Sequence, residues 1–310
     1  IMYLICGEAL FDFFLVSETG PGAAQYAARA GGSPFNVAIG LARQGVDAAL
    51  LTGLSSDFLG ERLQTVLTDE GVATRYTQRT DRPSTLSLVG LDAQGGPAYQ
   101  FFDRNSAGSG LCVQDMPDLG ADVWGLHLGS YSLVVPPVAD AFAALAAREQ
   151  QRFISLDPNI RPTIEPDMAI WRTRLEALYP FVDLVKISVE DLDLVHPGLG
   201  PQDYAATILD QGPSLVVVTD GGAPVRAFGR GLSAQAQPPT VEVIDTVGAG
   251  DTFQATLLAM LAQGGGDPKA ALQTLTQPRL SEILTRAARA ASITSARRGA
   301  DLPTAQDIDA

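Results

Sequence analysis

Histidine and cysteine are scarce in this chain of 310 residues, which contains two of each. His127 lies in a buried-strand pattern and His196 precedes Pro197 in a loop; with no other histidine, the sequence argues against a zinc site or a Ser–His catalytic triad. The cysteines, Cys6 and Cys112, lie far apart and lack the spacing of metal ligands. They are therefore predicted to be reduced thiols, as is typical of a cytoplasmic protein.

Basic residues are also few. The chain has 21 Lys and Arg against 35 Asp and Glu, which gives a net charge of −14. This balance excludes nucleic acid and anionic membrane surfaces as partners, because both require a basic protein surface. Long apolar runs are missing too, and none approaches the roughly 18 residues of a membrane span. The first residues lack the layout of a secretory signal, so we expect no membrane partner and a cytoplasmic location.

Two common nucleotide-binding motifs are absent. The only lysines are Lys186 and Lys269, and neither follows glycines in the Walker pattern. No G-x-G-x-x-G follows the first predicted strand, which argues against a dinucleotide-dependent oxidoreductase. A nucleotide must therefore be held by another kind of loop.

Short apolar segments alternate with helical patterns along the chain. The predicted strands are 3–6, 48–53, 123–129, 153–157, 182–187 and 215–219. Helices are predicted around 35–44, 59–70, 137–150, 168–179, 202–211, 250–263 and 279–297. Several strands are apolar throughout, which is typical of a parallel sheet covered by helices on both faces. The pattern predicts a doubly wound α/β fold, a three-layer α/β/α sandwich, as one domain over residues 1–310.

Two segments do not fit this alternation. Residues 8-EALFDFFLV-16 continue beyond the first strand as extended chain. A β-hairpin is predicted from strands at 85–92 and 98–102, which are joined by a turn at 93–96. Strands that lack a covering helix must cover a ligand, a partner subunit or both. We therefore predict a small β-sheet lid over the active site, built from segments at about 9–18 and 84–112.

The segment 245-DTVGAGDTF-253 lies where a β-branched run gives way to a helical pattern. Glycines at such a junction let backbone N–H groups point to one place, and a helix N-terminus carries a partial positive potential. Gly248, Ala249 and Gly250 can therefore form an anion hole. Asp251 then lies beside this hole as a candidate base. An alternative is that Asp251 only caps the helix.

This segment, together with 31-GGSPFNVAIGLARQG-45, 157-DPNIR-161 and 219-TDGG-222, resembles the PfkB (ribokinase-like) family of sugar kinases. The resemblance covers essentially the whole chain, in order. GEALFDF at 7–13, GGSPFNVA and DPNIRP are most similar to bacterial fructokinases. The resemblance implies a ribokinase-like fold with a mainly parallel central sheet and a β-lid. It also implies ATP-dependent phosphorylation of a sugar, with fructose converted to fructose 6-phosphate as the first choice.

The resemblance assigns roles to individual positions of this sequence. The catalytic set is Asp251 as base, Gly248, Ala249 and Gly250 as anion hole, and Arg161 near the sugar or phosphate. Sugar-binding positions are Asp12, Gly31, Gly32, Asn36, Arg161 and Asp251. Nucleotide-binding positions are Lys186, Thr219, Gly221, Gly248, Gly250, Ile293 and Gly299. The implied metals are Mg²⁺, held through water by Glu190 and Asp191, and K⁺, held by Asp245 and the backbone carbonyl of Val247.

Three positions depart from the family pattern: Ser188 in place of Asn, Pro224 in place of Gly, and Gln254 in place of Asn. None of them removes the base or the anion hole. A 2-keto-3-deoxygluconate kinase, a ribokinase and a nucleoside kinase remain alternatives, and Arg104 is the only obvious extra cation for an acidic sugar. A sugar-binding regulator without catalysis is the alternative from another class. The expected partners are a sugar, ATP and a second copy of the chain bound through the lid.

Overall fold

A computed structural model of the protein describes residues 2–91 and 97–310. In chain order, the strands are β1 Met2–Cys6, β2 Leu10–Gly20, β3 Ala23–Gly31, β4 Asp47–Leu51, β5 Gly53–Ser55, β6 Gln78–Thr80, β7 Leu86–Leu91, β8 Pro97–Phe102, β9 Val123–Gly129, β10 Phe153–Asp157, β11 Leu184–Ser188, β12 Leu215–Thr219, β13 Val225–Gly229 and β14 Leu232–Ala236. The α-helices are α1 Ser33–Arg43, α2 Phe58–Asp69, α3 Val138–Arg148, α4 Met168–Leu178, α5 Val189–Val195, α6 Pro201–Leu209, α7 Ala249–Leu261, α8 Pro268–Gln273, α9 Gln277–Ser295 and α10 Ala305–Asp309.

The central sheet has eight strands in the order β14-β13-β12-β11-β10-β9-β1-β4. The six strands from β12 to β4 in this order run parallel, and β13 and β14 add two antiparallel strands at one edge. The predicted mainly parallel α/β sheet is therefore confirmed. Within the described residues, no helix has both the length and the apolar character to cross a membrane.

Both faces of the central sheet are buried, as the apolar strands predict. In β1, Tyr3 and Ile5 pack into one core, which receives side chains from α1, α7 and α9. Leu4 and Cys6 point to the opposite face and pack with α3, α4, α5 and α6. Because alternate residues of a strand point to opposite faces, a run of five apolar residues serves two cores at once. The result is the predicted three-layer sandwich.

A second, small sheet has four strands in the order β3-β2-β7-β8. The pairs β2–β3 and β7–β8 are antiparallel, whereas β2 and β7 run parallel. The sequence predicted three of these strands and missed β3, whose segment 23-AAQYAARAG-31 is rich in alanine, a residue depleted in strands. Its pairing with β2 along nine residue positions, from Gly31 opposite Leu10 to Ala23 opposite Gly20, outweighs this local preference. The predicted turn at 93–96 lies outside the described residues.

Candidate active site

A cavity of about 460 Å³ lies between the small sheet and the carboxyl ends of the central strands. The small sheet contributes Leu10, Asp12, Phe14, Tyr99 and Phe101 to its lining. The loops after the parallel strands contribute Glu8, Ser130, Asn159 and Arg161, and the start of α7 contributes Gly248, Gly250 and Asp251. This is the edge at which open α/β sheets bind their ligands.

The Asp251 carboxyl group lies in the first turn of α7 and is 9% exposed. Its Oδ1 accepts a hydrogen bond from Ser33 Oγ at 2.6 Å, and its Oδ2 accepts one from Asn36 Nδ2 at 2.8 Å. Burial raises the pKa of Asp251, while these two donors and the Lys186 ammonium act in the opposite direction. Both donors come from the first turn of α1, so the predicted base is held in one orientation by a second helix. Its side chain does not cap its own helix, which has no side-chain cap at its N-terminus.

Gly248 precedes α7 in a left-handed conformation, with φ 79°. A Cβ atom there would lie 2.7 Å from Ala300 Cβ and 3.0 Å from Ala300 Cα. Position 248 therefore requires glycine for both its backbone angle and its packing. The Ala249 amide donates to the Thr246 carbonyl at 3.2 Å, so one of the three amides of the predicted anion hole already has an acceptor. Within the described residues, the amides of Gly248 and Gly250 have no backbone acceptor.

Lys186 ends 2.8 Å from Asp157 Oδ2 in a pair whose side chains are 6% and 3% exposed. Burial lowers the pKa of Lys186, but the carboxylates of Asp157, Asp251 and Asp191 together outweigh it and the pKa is raised. A Cβ on Gly250 would meet the ammonium at 3.2 Å. The structure thus places the charged Lys186 ammonium next to the start of α7. The ammonium is hydrogen-bonded to Asp157, a residue to which the sequence analysis gave no role.

The two predicted magnesium ligands differ in exposure. Glu190 is exposed, whereas Asp191 is half-buried. Burial, together with the Asp157 charge, raises the pKa of Asp191 to about 6. Ser188 Oγ accepts from the Asp191 amide at 3.0 Å and caps α5, a role that the asparagine of the family pattern could also fill.

Arg161 lies on the loop after β10, and its Nη1 donates to the Ile160 carbonyl at 2.9 Å. Asn159, two residues before Arg161, has φ 42°, a left-handed angle that is unusual outside glycine. Such strain is concentrated at binding sites, because the surrounding structure must hold it in place. Here it turns the loop so that Asn159 and Arg161 both line the cavity.

Asp12 and the two glycines at the end of β3 lie together. A Cβ on Gly31 would approach Asp12 Oδ2 to 2.7 Å, and one on Gly32 would approach the Glu8 carbonyl oxygen to 2.7 Å. Burial raises the pKa of Asp12, and the Ser87 hydroxyl and Arg161 oppose that effect. Because the sugar-binding positions Asp12, Gly32, Asn36 and Arg161 all line one cavity, the structure brings this predicted set together.

The predicted nucleotide and potassium positions lie only partly at the cavity. Asp245 accepts from the Val247 amide at 3.0 Å and from the Gly299 amide at 2.9 Å, which joins the loop before α7 to the chain after α9. Val247, predicted for potassium, lines the cavity. Five of the predicted nucleotide residues do not: Lys186, Thr219, Gly221, Ile293 and Gly299. Pro224 follows a turn closed by the Ala223 amide and the Asp220 carbonyl at 2.8 Å.

A buried polar cluster lies behind the Lys186–Asp157 pair. His127 Nδ1 is 2.8 Å from Ser155 Oγ and 3.4 Å from Gln254 Nε2, and none of the three residues is exposed to solvent. Gln254, a departure from the family pattern, therefore contacts this cluster and does not line the cavity. Burial lowers the pKa of His127 to about 4, and the nearby Lys186 adds to that effect while Asp157 opposes it.

Acid should destabilise the protein through His127. Its pKa is lowered from 6.5 to about 4, so the unfolded chain binds the proton more readily. The stabilisation is complete above pH 6.5 and is lost as the pH falls through 4, by up to about 3 kcal/mol. In urea unfolding at pH 7 and pH 4.5, His127→Gln should lose less stability than the unmodified protein. Partial burial also lowers the pKa of His196, so the comparison variant His196→Gln should lose less stability than the unmodified protein but more than His127→Gln. An equal loss in the His127 variant would contradict this reasoning.

Sequence reasoning assigned no role to three residues of this site: Glu8, Ser33 and Asp157. All three lie within the motifs that carry the family resemblance, in GEALFDF, GGSPFNVA and DPNIR. Their residue types could have indicated a role in the site, because carboxyl and hydroxyl groups in otherwise apolar segments need partners when they are buried. Their partners could not be identified from sequence, because they lie on other elements of the fold.

Comparisons with known proteins agree with this geometry. A model of the pfkB family of carbohydrate kinases matches residues 2–307. The chain is 41% identical over 263 residues to a fructokinase of Rhizobium leguminosarum bv. trifolii, covering 84% of this chain and 79% of that protein. A fructokinase from Xylella fastidiosa, solved with bound ATP, has a TM-score of 0.91 at 28% identity and covers 99% of this chain and 96% of its own. A fructokinase double mutant from Vibrio cholerae O395, solved with fructose, ADP and potassium, shares the fold, with a TM-score of 0.85 at 24% identity over 99% of this chain and 97% of its own.

Proposed function

Because the chain belongs to the pfkB family of carbohydrate kinases, we propose that it transfers the γ-phosphate of ATP to a hydroxyl group of fructose. The observation that carries this proposal is the Asp251 carboxyl group, held by Ser33 and Asn36 in a sugar-sized cavity beside the free amides of Gly248 and Gly250. The similarity to bacterial fructokinases supports fructose as the acceptor, and we propose the 6-hydroxyl as the position that is phosphorylated.

The charges of the cavity support a neutral sugar. Its lining contains three carboxyl groups, from Glu8, Asp12 and Asp251, and one guanidinium, from Arg161. A sugar acid such as 2-keto-3-deoxygluconate would bring a fourth carboxylate into this space. Arg104, the extra cation considered for such a substrate, is exposed and does not line the cavity. Like charges in a poorly solvated site repel each other strongly, so the arrangement favours fructose over the acidic alternative.

In the proposed reaction, Asp251 takes the proton from the sugar hydroxyl while that oxygen forms a bond to the γ-phosphorus. The bond between this phosphorus and the bridging oxygen of ATP breaks, and ADP leaves with the electron pair. The amides of Gly248 and Gly250 donate hydrogen bonds to the transferred phosphoryl group, and the Arg161 guanidinium offsets its charge. A raised pKa suits Asp251 to this work, because a base acts best when its pKa lies near the working pH.

We propose that Asp191, with Glu190 beside it, holds Mg²⁺ through water, and that Asp245 and the Val247 carbonyl hold K⁺. Carboxylate and carbonyl oxygens are the ligands that these cations prefer. Bound Mg²⁺ would neutralise phosphate charge. Asp191 is half-buried near Lys186 and Arg161, so a cation there would lie among the groups that face the phosphates. Turnover that survives chelation of Mg²⁺ would contradict this assignment.

The small sheet is proposed to serve both as a lid and as the contact between two copies of the chain. Its strands carry large apolar side chains that are exposed: Val16, Tyr26, Tyr99 and Phe102. A sedimentation experiment that finds only monomer would exclude the dimer.

The free thiols of Cys6 and Cys112 support a cytoplasmic location.

The test is an ATP-consumption assay with Mg²⁺ and K⁺ across fructose, ribose, 2-keto-3-deoxygluconate and adenosine. We expect the highest kcat/KM with fructose and at least roughly a hundredfold lower value with the sugar acid, because binding would leave its carboxylate unpaired. Preference for another sugar would replace the acceptor and keep the kinase. No turnover with any of them, combined with measurable sugar binding, would favour the regulator without catalysis.

A further inference from the structure

Glu8 has a buried carboxyl group that takes no part in the reaction proposed above. It follows β1 by two residues, is 2% exposed and lines the cavity. Its Oε2 has no hydrogen-bond partner among the described residues. A buried polar atom without a partner costs free energy, so its presence in a native fold needs an explanation. Because Glu8 lines the cavity, its side chain lies at the wall of the space that we propose for the sugar.

Two glycines lie against the Glu8 side chain. A Cβ on Gly32 would lie 3.3 Å from Glu8 Cγ, and one on Gly108 would lie 3.6 Å from Glu8 Cβ and 3.2 Å from Tyr131 Oη. Ser130, next to the carboxyl group, has φ 64°, a strained angle for a residue other than glycine. Among the residues that the structure covers, Tyr131 Oη is also buried without a partner. Two unpaired polar groups therefore line the same wall of the cavity.

We propose that Glu8, together with Tyr131, binds hydroxyl groups of the sugar other than the one that Asp251 deprotonates, and that Glu8 selects neutral sugars over sugar acids. This inference rests on the proposed kinase function. A carboxylate accepts hydrogen bonds from hydroxyl groups, and a phenol both donates and accepts, so the pair matches a polyol. The same carboxylate repels a substrate carboxylate. Discrimination of this kind comes from an unfavourable contact with the wrong ligand as much as from a favourable contact with the right one.

The ionisation of Glu8 supports a binding role over a structural one. Burial raises its pKa from 4.5 to about 7, Ser130 and Arg161 oppose this, and Asp251 adds to it. The groups that face it are therefore the charged Arg161 and Asp251 and the phenol of Tyr131. A carboxyl group with a raised pKa stabilises the fold only while it is protonated, and that contribution is lost as the pH rises through 7. At pH 8 the ligand-free protein should therefore gain stability, or at least lose none, when the charge is removed.

The experiment compares Glu8→Gln, Tyr131→Phe and the control Glu176→Gln, which makes the same chemical change at an exposed position on α4. For each variant we would measure KM for fructose, KM for ATP, kcat, calorimetric binding of fructose without ATP, and Tm at pH 8. Glu8→Gln should raise KM and Kd for fructose roughly tenfold to hundredfold, the loss expected for one hydrogen bond to a charged group. Its KM for ATP should stay within about twofold and its Tm should not fall. The control should match the unmodified protein.

An unchanged KM and Kd for fructose in Glu8→Gln would overturn the proposal. So would a loss of fructose binding accompanied by a lower Tm, because that pattern belongs to a structural carboxyl group. If Glu8→Gln does not fold, Tyr131→Phe decides the question, since it removes one unpaired oxygen and should raise KM for fructose about threefold to tenfold. The assays use whichever neutral sugar the unmodified protein phosphorylates best. Failure of fructose as a substrate would therefore correct the proposed function and leave the role of Glu8 open to its own test.

Discussion

Replacing Asp251 with asparagine should lower kcat by about 10²–10⁴-fold, the usual contribution of a general base. Asparagine keeps the size of the side chain and cannot accept the proton of the sugar hydroxyl. The Kd for fructose, measured by calorimetry without ATP, should change only a few-fold, since Glu8, Asp12 and Arg161 still line the cavity. The control Asp69→Asn, at an exposed position near the end of α2, should leave all of these values unchanged.

The stability of the same variant provides a second check. Burial raises the pKa of Asp251, so the ionised carboxylate is less stable in the folded protein than in the unfolded chain. Its contribution to stability is present at low pH and is lost as the pH rises through the folded pKa. The Tm of Asp251→Asn at pH 8 should therefore be equal to or higher than that of the unmodified protein. Near-normal turnover would show that another group is the base, and a large fall in Tm would show that Asp251 is mainly structural.

Replacing Gly248 with alanine should have the second largest effect, a fall in kcat of about 10²–10³-fold. The left-handed φ of 79° costs an alanine about 1–2 kcal/mol. Its Cβ would also lie within 3.0 Å of the Ala300 backbone, which cannot move as freely as a side chain. Both effects displace the first turn of α7 and with it the Gly248 and Gly250 amides. Because we propose that these amides act on the transferred phosphoryl group, kcat should fall more than sugar affinity.

Two other glycines give matched controls for this substitution. A Cβ on Gly250 would meet only the Lys186 ammonium, at 3.2 Å, and the flexible lysine side chain can move aside. Gly250→Ala should therefore lose less activity than Gly248→Ala. A Cβ on Gly266 would meet no atom within 4 Å, so Gly266→Ala should behave as the unmodified protein. If alanine at 248 and at 266 had the same effect in steady-state kinetics and thermal unfolding, the requirement for glycine at 248 would be refuted.

Local patterns identified most of the central sheet. The apolar runs 123–129, 153–157 and 215–219 were predicted as strands with the bounds that β9, β10 and β12 have in the structure. Helix bounds differed by one or two residues, as for α4, predicted at 168–179 and observed at Met168–Leu178. Patterns of this kind are reliable because burial on both faces requires a continuous apolar strand. They failed for β3, where alanine carries little preference and pairing with β2 decides the conformation.

Sequence alone determined the chemical groups of the site: a glycine-rich junction beside Asp251, a glycine pair predicted to bind sugar, and the family to which the chain belongs. These features are local, because the backbone freedom of glycine and the chemical nature of a side chain belong to the residue itself. Tertiary structure alone decided which groups act on one another. Ser33 and Asn36 lie 218 and 215 residues away from Asp251 in the sequence, and yet they donate hydrogen bonds to it. Lys186 pairs with Asp157 on the neighbouring strand of the central sheet. The pKa values, the unpaired carboxyl group of Glu8 and the use of the Ala249 amide all depend on such contacts, which only folding brings within hydrogen-bonding distance.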